Sequence, residues 1–232
     1  MDLSGAVGPP PYRLRVSDRA RHVRLQVRPR EGLVVVVPRR FDRSRLPELL
    51  AARAAWIARA LERVGIADEE EALPHHLALP GLGESYAVEY LPAGSTARAA
   101  LREGRVRVAA PDEEGAAEAL RRFVTRRARV GLAAELAALA AARGAEVQAV
   151  SVRAQRTRWA SCSATGRVSL NRNLAFLPPP LVATVLLHEL CHLEELNHSP
   201  RFWALLSAAV PELDLRRAEL AAAWRHVPRW AR

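Results

Sequence analysis

The stretch His188-Glu189-Leu190-Cys191-His192, with His198 six residues beyond its second histidine, constrains this chain more than any other. In a helix, residues i and i+4 stand on one face about one turn apart. His188 and His192 can therefore offer two imidazole nitrogens to a single zinc ion. Glu189 projects beside that pair, where a carboxylate can take a proton from an attacking water without ligating the metal. Val182, Leu186, Leu190 and Leu193 give the helix an apolar stripe, leaving His188, Glu189 and His192 on another face.

The flanks supply a start and a stop. Pro178-Pro179-Pro180 can open the helix, because its first position tolerates a missing N–H. Asn197 tolerates a left-handed turn, which predicts a helix end nearby. Ser199-Pro200 then caps and starts a further helix bearing Phe202, Trp203 and Leu206. His198 lies in the corner between them, and a tight reversal there would swing its ring back toward His188 and His192. Cys191 points away from the pair and reads as a small core residue, whereas Cys162 sits in a Ser-Cys-Ser loop near arginines.

Upstream, Tyr12, Leu14 and Val16 alternate with Arg13 and Arg15, and Val23, Leu25 and Val27 with Arg24, Gln26 and Arg28. These read as half-buried strands with one cationic face. The continuous run Leu33–Val37 reads as a deeper strand of the same small antiparallel sheet. A helix from Ser44 to Val64 follows, with Leu46, Leu49, Leu50, Trp56, Ile57 and Leu61 inward, Gly65 as its stop and residues 68–71 as an acidic connector. Alternation marks strands at Tyr86–Tyr90 and Arg105–Val108. His75 and His76 are adjacent and read as loop residues. Acids at 112–114 open a long helix that Gly144 closes, with Leu120, Val124, Leu132, Leu136 and Leu139 as its core stripe and Arg122, Arg126 and Arg129 as a solvated ridge. The expectation is an α+β chain: a loose arm over 1–11, a β-rich region over 12–110 and a helical catalytic domain with a short sheet over 111–232.

Two cysteines are too few for a disulfide framework and fit a reducing cytosol. No leader pattern opens the chain, and its apolar runs are far short of a membrane span. A soluble cytoplasmic protein with no membrane partner is expected. The net charge of +10 invites weak nucleic-acid or nucleotide binding. All 35 basic residues are arginine, however, and with the high alanine content this reflects a compositional bias that makes the whole surface basic.

The local pattern Thr157-Arg158-Trp159-Ala160-Ser161-Cys162-Ser163, Gly166, Ser169-Leu170-Asn171, His188–His192, Asn197-His198-Ser199 and Phe202-Trp203 resembles the YgjP-like family of predicted zinc metallopeptidases. That family is related to the SprT-like and WLM groups within the zincins. The resemblance is specific from Ser151 to Trp203 and consistent over the N-terminal sheet and the helix holding Trp56. It implies a zincin-like domain in which His188, His192 and His198 hold Zn2+ and Glu189 is the general base, with Glu219 as the alternative third ligand, since other zincins take a downstream helical glutamate. Ala160 departs from the family, where glycine usually separates the tryptophan and the serine. A glycine there would signal positive φ.

These readings converge on a zinc-dependent peptidase acting on a peptide or protein substrate. Three histidines leave one tetrahedral position open. Arg158, Asn171, Arg201 and His226 are the candidates for transition-state or substrate contacts, and the Val168–Asn171 strand for pairing with an extended peptide. Between Ser151 and Arg172 lie five arginines (153, 156, 158, 167 and 172) and no acid. They motivate two alternatives: a metal-dependent nucleotide (NTP) pyrophosphatase, and a DNA-associated SprT-like protease.

Overall fold

The computed structural model describes residues 11–28, 32–64, 72–92, 96–155 and 157–232. The arm expected over 1–11 (all but Pro11), the Gly65 stop and the 68–71 connector lie outside them. The chain divides into two units, Met1–Glu69 and Glu70–Arg232.

In the first unit, strands β1 (Tyr12–Ser17), β2 (Arg24–Arg28) and β3 (Gly32–Pro38) form a sheet in the order β1-β3-β2. Its helices are α1 (Leu46–Ala51) and α2 (Ala54–Val64). Leu33, Val35 and Val37 lie on one face of β3 and bury against Leu46, Leu50 and Ile57. The sheet differs from the antiparallel expectation. β2 is antiparallel to β3, but β1 runs parallel to it, with Tyr12 opposite Leu33. Alternating side chains reveal which face of a strand is wet; they say nothing of its partner's direction. The single helix expected over 44–64 is two helices, broken at Ala52-Arg53. Trp56, expected inward, is 42% exposed, and Ile57 takes the buried position beside it.

The second unit is built on α3 (Glu113–Arg143). Before it come β4 (His76–Leu79), β5 (Glu84–Tyr90), β6 (Arg98–Arg102) and β7 (Arg105–Ala109), a sheet in the order β4-β5-β7-β6. After it come β8 (Ala149–Arg153), β9 (Ala160–Cys162) and β10 (Arg167–Asn171), a sheet in the order β8-β10-β9. Three helices follow: α4 (Pro179–Cys191), α5 (Pro200–Ala209) and α6 (Leu213–Ala221).

The long helix forms as its sequence dictates. The Asp112 carboxylate accepts from the Gly115 N–H at 2.7 Å, and Gly144 ends the helix in the left-handed region at φ +62. Leu120, Val124, Leu132 and Leu136 are fully buried, each contributing about 1.5–3 kcal/mol of burial energy. The arginine ridge is not merely solvated. Arg122 donates to the Ala97 carbonyl at 2.7 Å and Arg126 to that of Ala99 at 2.6 Å. The first carbonyl lies just before β6 and the second within it, a strand that among the described residues pairs only with β7.

The β4–β7 sheet, α3, β10 and α4 contribute to one continuous core, with Leu77, Val106, Leu120, Leu170 and Leu186 among its members. The two compact units meet at 69/70, and strands β6 and β7, which precede the boundary expected near Pro111, pack directly on α3.

Candidate metal centre

Helix α4 begins at Pro179 and buries Val182, Leu186 and Leu190 completely. Its regular part stops at Cys191, earlier than the end expected near Asn197. His192 keeps helical backbone angles at the cap (φ −69, ψ −15), so the i, i+4 relation with His188 survives. Beyond it the chain unwinds, and the freed Glu195 carbonyl lies 3.1 Å from His192 Nδ1. A carbonyl only accepts, so this contact puts the proton on Nδ1 and leaves the Nε2 lone pair free.

The corner behaves as its sequence implies. Ser199 accepts from the Phe202 N–H at 3.3 Å and Pro200 starts α5. His198 Nε2 comes to 3.1 Å from His188 Nε2, which is itself 3.2 Å from His192 Nε2. The three candidate ligand atoms all lie within 4.8 Å of one another. Three nitrogens about 2.0–2.1 Å from one tetrahedral zinc would stand about 3.3 Å apart, so the spacing fits such an ion. Beneath them lies the buried ring of Phe202, with centroids 4.6–4.9 Å from all three imidazoles. Burial, then the neighbouring His192, His198 and Arg217, pulls the His188 pKa down to about 4. Burial and His192 also lower that of His198. Both rings are thus biased toward the neutral form that a metal requires.

Glu189 is 4% exposed, and its Oε2 has no hydrogen-bond partner among the described residues. Burial pushes the carboxyl up to about 7, against the opposing charge of Arg158. An unsatisfied buried carboxylate oxygen is unfavourable unless something else meets it there.

The other candidates separate. Arg158 lies within electrostatic reach of Glu189. Asn171 is fully buried and its side chain is committed: Nδ2 donates to the Gln155 and Arg158 carbonyls, each at 2.9 Å, and Oδ1 accepts from the Asn173 N–H at 3.1 Å. It positions the loop that carries Arg158 and Trp159. Arg201 lies in the first turn of α5, and His226 lies in a short 3-10 helix where burial and Arg225 lower its pKa. Neither lines the cleft beside the triad. Glu219, the alternative third ligand, accepts from Arg216 at 2.9 Å, and His198 occupies the third position. His76 starts β4 and bonds Ser85 Oγ at 2.9 Å, while His75 packs on Tyr90; neither joins the triad. Cys191 is fully buried with Phe202 and Leu206. Cys162 is half-buried, and burial followed by the charge of Glu189 raises its thiol pKa.

Two points correct the sequence reading. Strand β10 has no free edge, since β8 and β9 flank it; among the described residues an unpaired edge belongs to β9, which packs against α4. Ala160 sits within β9 without positive φ, so alanine is unstrained there. One residue was missed altogether. Arg217 of α6 stands over the Trp203 ring, 4.4 Å from its centroid, and shares a cleft with His188 and Glu189. It arrives from a separate helix, and no local spacing signals it.

A helix-borne histidine pair, completed by a third imidazole and flanked by a buried glutamate, is a site of the kind that binds a metal ion. The sequence model of one family (YgjP-like, metallopeptidase domain) matches residues 21–223, and the chain belongs to that family. Neither the curated proteins nor the solved structures contain a match. No helix among the described residues is long and apolar enough to cross a membrane.

Proposed function

We propose that the protein is a zinc-dependent peptidase in which His188, His192 and His198 hold Zn2+ and Glu189 is the general base. The observation that carries this reading is the convergence of three imidazole Nε2 atoms beside a buried, unpartnered Glu189 Oε2. A zinc ion held there would polarise a scissile carbonyl and acidify a water molecule. Glu189 Oε2 would accept the proton of the attacking water and return it to the leaving amine. Arg158 faces this carboxylate and remains the candidate to meet developing negative charge.

The free edge of β9 suits an extended peptide. Trp159 O and Ser163 N are bonded to the β10 side, so by strand alternation the backbone groups of Ala160 and Cys162 face outward. Ala160 also lines the cleft with His188 and Glu189. A chain added along this edge would be held by its backbone next to the triad.

The nucleotide pyrophosphatase reading needs the arginines of 151–172 as a phosphate grip. Arg172 does not serve it, being buried and bonded to the carbonyls of Ala231 (2.9 Å) and Arg121 (3.4 Å). Histidine ligation also favours zinc-like metals over magnesium. The test is cleavage of an unfolded protein and a peptide mixture by the zinc-loaded protein, with nucleotides in parallel. Glu189→Gln should keep its zinc and lose about 10²–10⁴-fold in peptide turnover. Unchanged turnover in that variant would sink the assignment.

A further inference from the structure

We propose that the cleft between β9, α4 and α6 is a selectivity pocket that takes one large apolar side chain of the substrate, with Arg217 excluding lysine and arginine at its mouth. This rests on the peptidase reading for its substrate class, but the pocket itself follows from the walls.

The cavity holds about 310 Å3 and opens directly beside His188 and Glu189. A dry cavity of about 150 Å3 accepts benzene, so the space admits an aromatic side chain with the start of its backbone. One wall is Trp159, locked in place by its stack on Trp224 (centroids 4.5 Å apart, planes 24° from parallel). Val185 of α4 forms the second wall, and Leu213 and Leu220 of α6 the third. The nearby Thr184 hydroxyl already donates to the Pro180 carbonyl at 2.8 Å. Away from the triad end, a polar side chain entering the pocket would therefore lose water with little in return.

The charge at the mouth has one sign. Arg217 lies over Trp203, and its side chain is 54% exposed. The carboxylate it reaches, Asp214 Oδ1 at 3.4 Å, is itself 96% exposed and lies one turn away on the same helix. Glu189 is the one acid lining the cleft among the described residues, and it sits at the triad end. A lysine could bury its stem against the apolar walls, but its ammonium would meet Arg217 at the mouth, where Asp214 is already paired with that arginine. Apolar filling plus like-charge exclusion defines a selectivity opposite to that of a pocket with an acid at its base.

The test has two independent arms. In the first, peptides differing only in one residue near the cleaved bond (Ala, Leu, Phe, Lys or Glu) are compared by kcat/KM. At one position Phe and Leu should exceed Ala by at least about tenfold, with Lys below Ala. Leu220→Phe, which fills the pocket, should compress that preference. Arg217→Glu should raise the Lys-to-Phe ratio at least about tenfold, a change that a merely structural arginine would not produce. In the second arm, N-acetyl-phenylalanine amide, N-acetyl-alanine amide and N-acetyl-lysine amide are titrated into metal-free protein while tryptophan emission is followed. Saturable quenching is expected for the phenylalanine amide alone, and gained for the lysine amide in Arg217→Glu. If peptides are cut without side-chain preference and no amide saturates, the pocket is refuted while the peptidase reading stands. If nothing is cut but the phenylalanine amide saturates and the charge reversal transfers binding to lysine, the pocket stands and the peptidase reading falls.

Discussion

His192 Nδ1 and the Glu195 carbonyl oxygen are 3.1 Å apart, a contact that exists only because α4 unwinds immediately after its second histidine. A continued helix would have carried that carbonyl along its axis. Unwound, it holds the imidazole from behind and sets which nitrogen faces the other two rings. The zinc-loaded protein should therefore show His192 protonated at Nδ1 in ¹⁵N-detected NMR of the imidazoles. A resonance pattern with the proton on Nε2 would mean that the ring does not present that nitrogen to the metal.

Asn171 ties the loop bearing Arg158 and Trp159 to the end of β10 through two side-chain hydrogen bonds. Asn171→Ala should destabilise the protein by about 1–3 kcal/mol, since two part-buried carbonyls lose their donor. It should also lower kcat/KM through a misplaced Trp159 wall, with zinc stoichiometry unchanged, because Asn171 does not touch the triad. Denaturant unfolding and metal content measured on one preparation separate the two effects. Loss of zinc in this variant would contradict the assigned role.

Glu84 on β5 and Arg127 on α3 form a two-pronged ion pair, with Arg127 Nε donating to Oε2 at 2.9 Å and Nη2 to Oε1. That bond holds the Glu84 carboxyl below its ordinary value of 4.5. A depressed folded-state pKa contributes stability that is present above the unfolded value and lost as pH falls through the folded one. Glu84→Gln should thus be less stable than the parent by about 1–3 kcal/mol at pH 7, the range for hydrogen bonds to charged groups. The gap should close as pH falls below 4.5. A gap that persists unchanged at low pH would show that packing, not the ion pair, accounts for it.

Gly81 sits where a Cβ would lie 2.3 Å from the Leu174 carbonyl oxygen and 2.9 Å from Val182 Cγ2. The neighbour is backbone and cannot rotate away. Gly81→Ala should lower stability by about 1–3 kcal/mol and reduce the Tm by several degrees, as read by calorimetry. An unchanged Tm would mean that the turn before β5 does not press on the segment leading into α4.

Much of the site was legible because its information is local. The His188/His192 spacing, the Ser199-Pro200 start and the Asp112 and Gly144 helix ends each act within a few residues, and each forms as read. What depended on partners distant in sequence was not legible. Alternation in β1 could not reveal that it runs parallel to β3. The 122/126 ridge looked solvated because the carbonyls it satisfies lie 25 and 27 residues earlier in the chain. Asn171 read as a substrate contact because its sequence neighbours are chemical, yet burial commits it to the backbone. Arg217 joins the site from α6, where it stacks on Trp203 of α5, a contact that no local spacing announces.

Three imidazoles holding one zinc, with a fourth position open, leave a distinct signature in X-ray absorption at the zinc edge. On protein loaded with one equivalent, three imidazole nitrogens and one further light-atom scatterer are expected, all at about 2.0–2.1 Å. A sulfur scatterer at about 2.3 Å, or fewer than three imidazoles, would contradict that ligation.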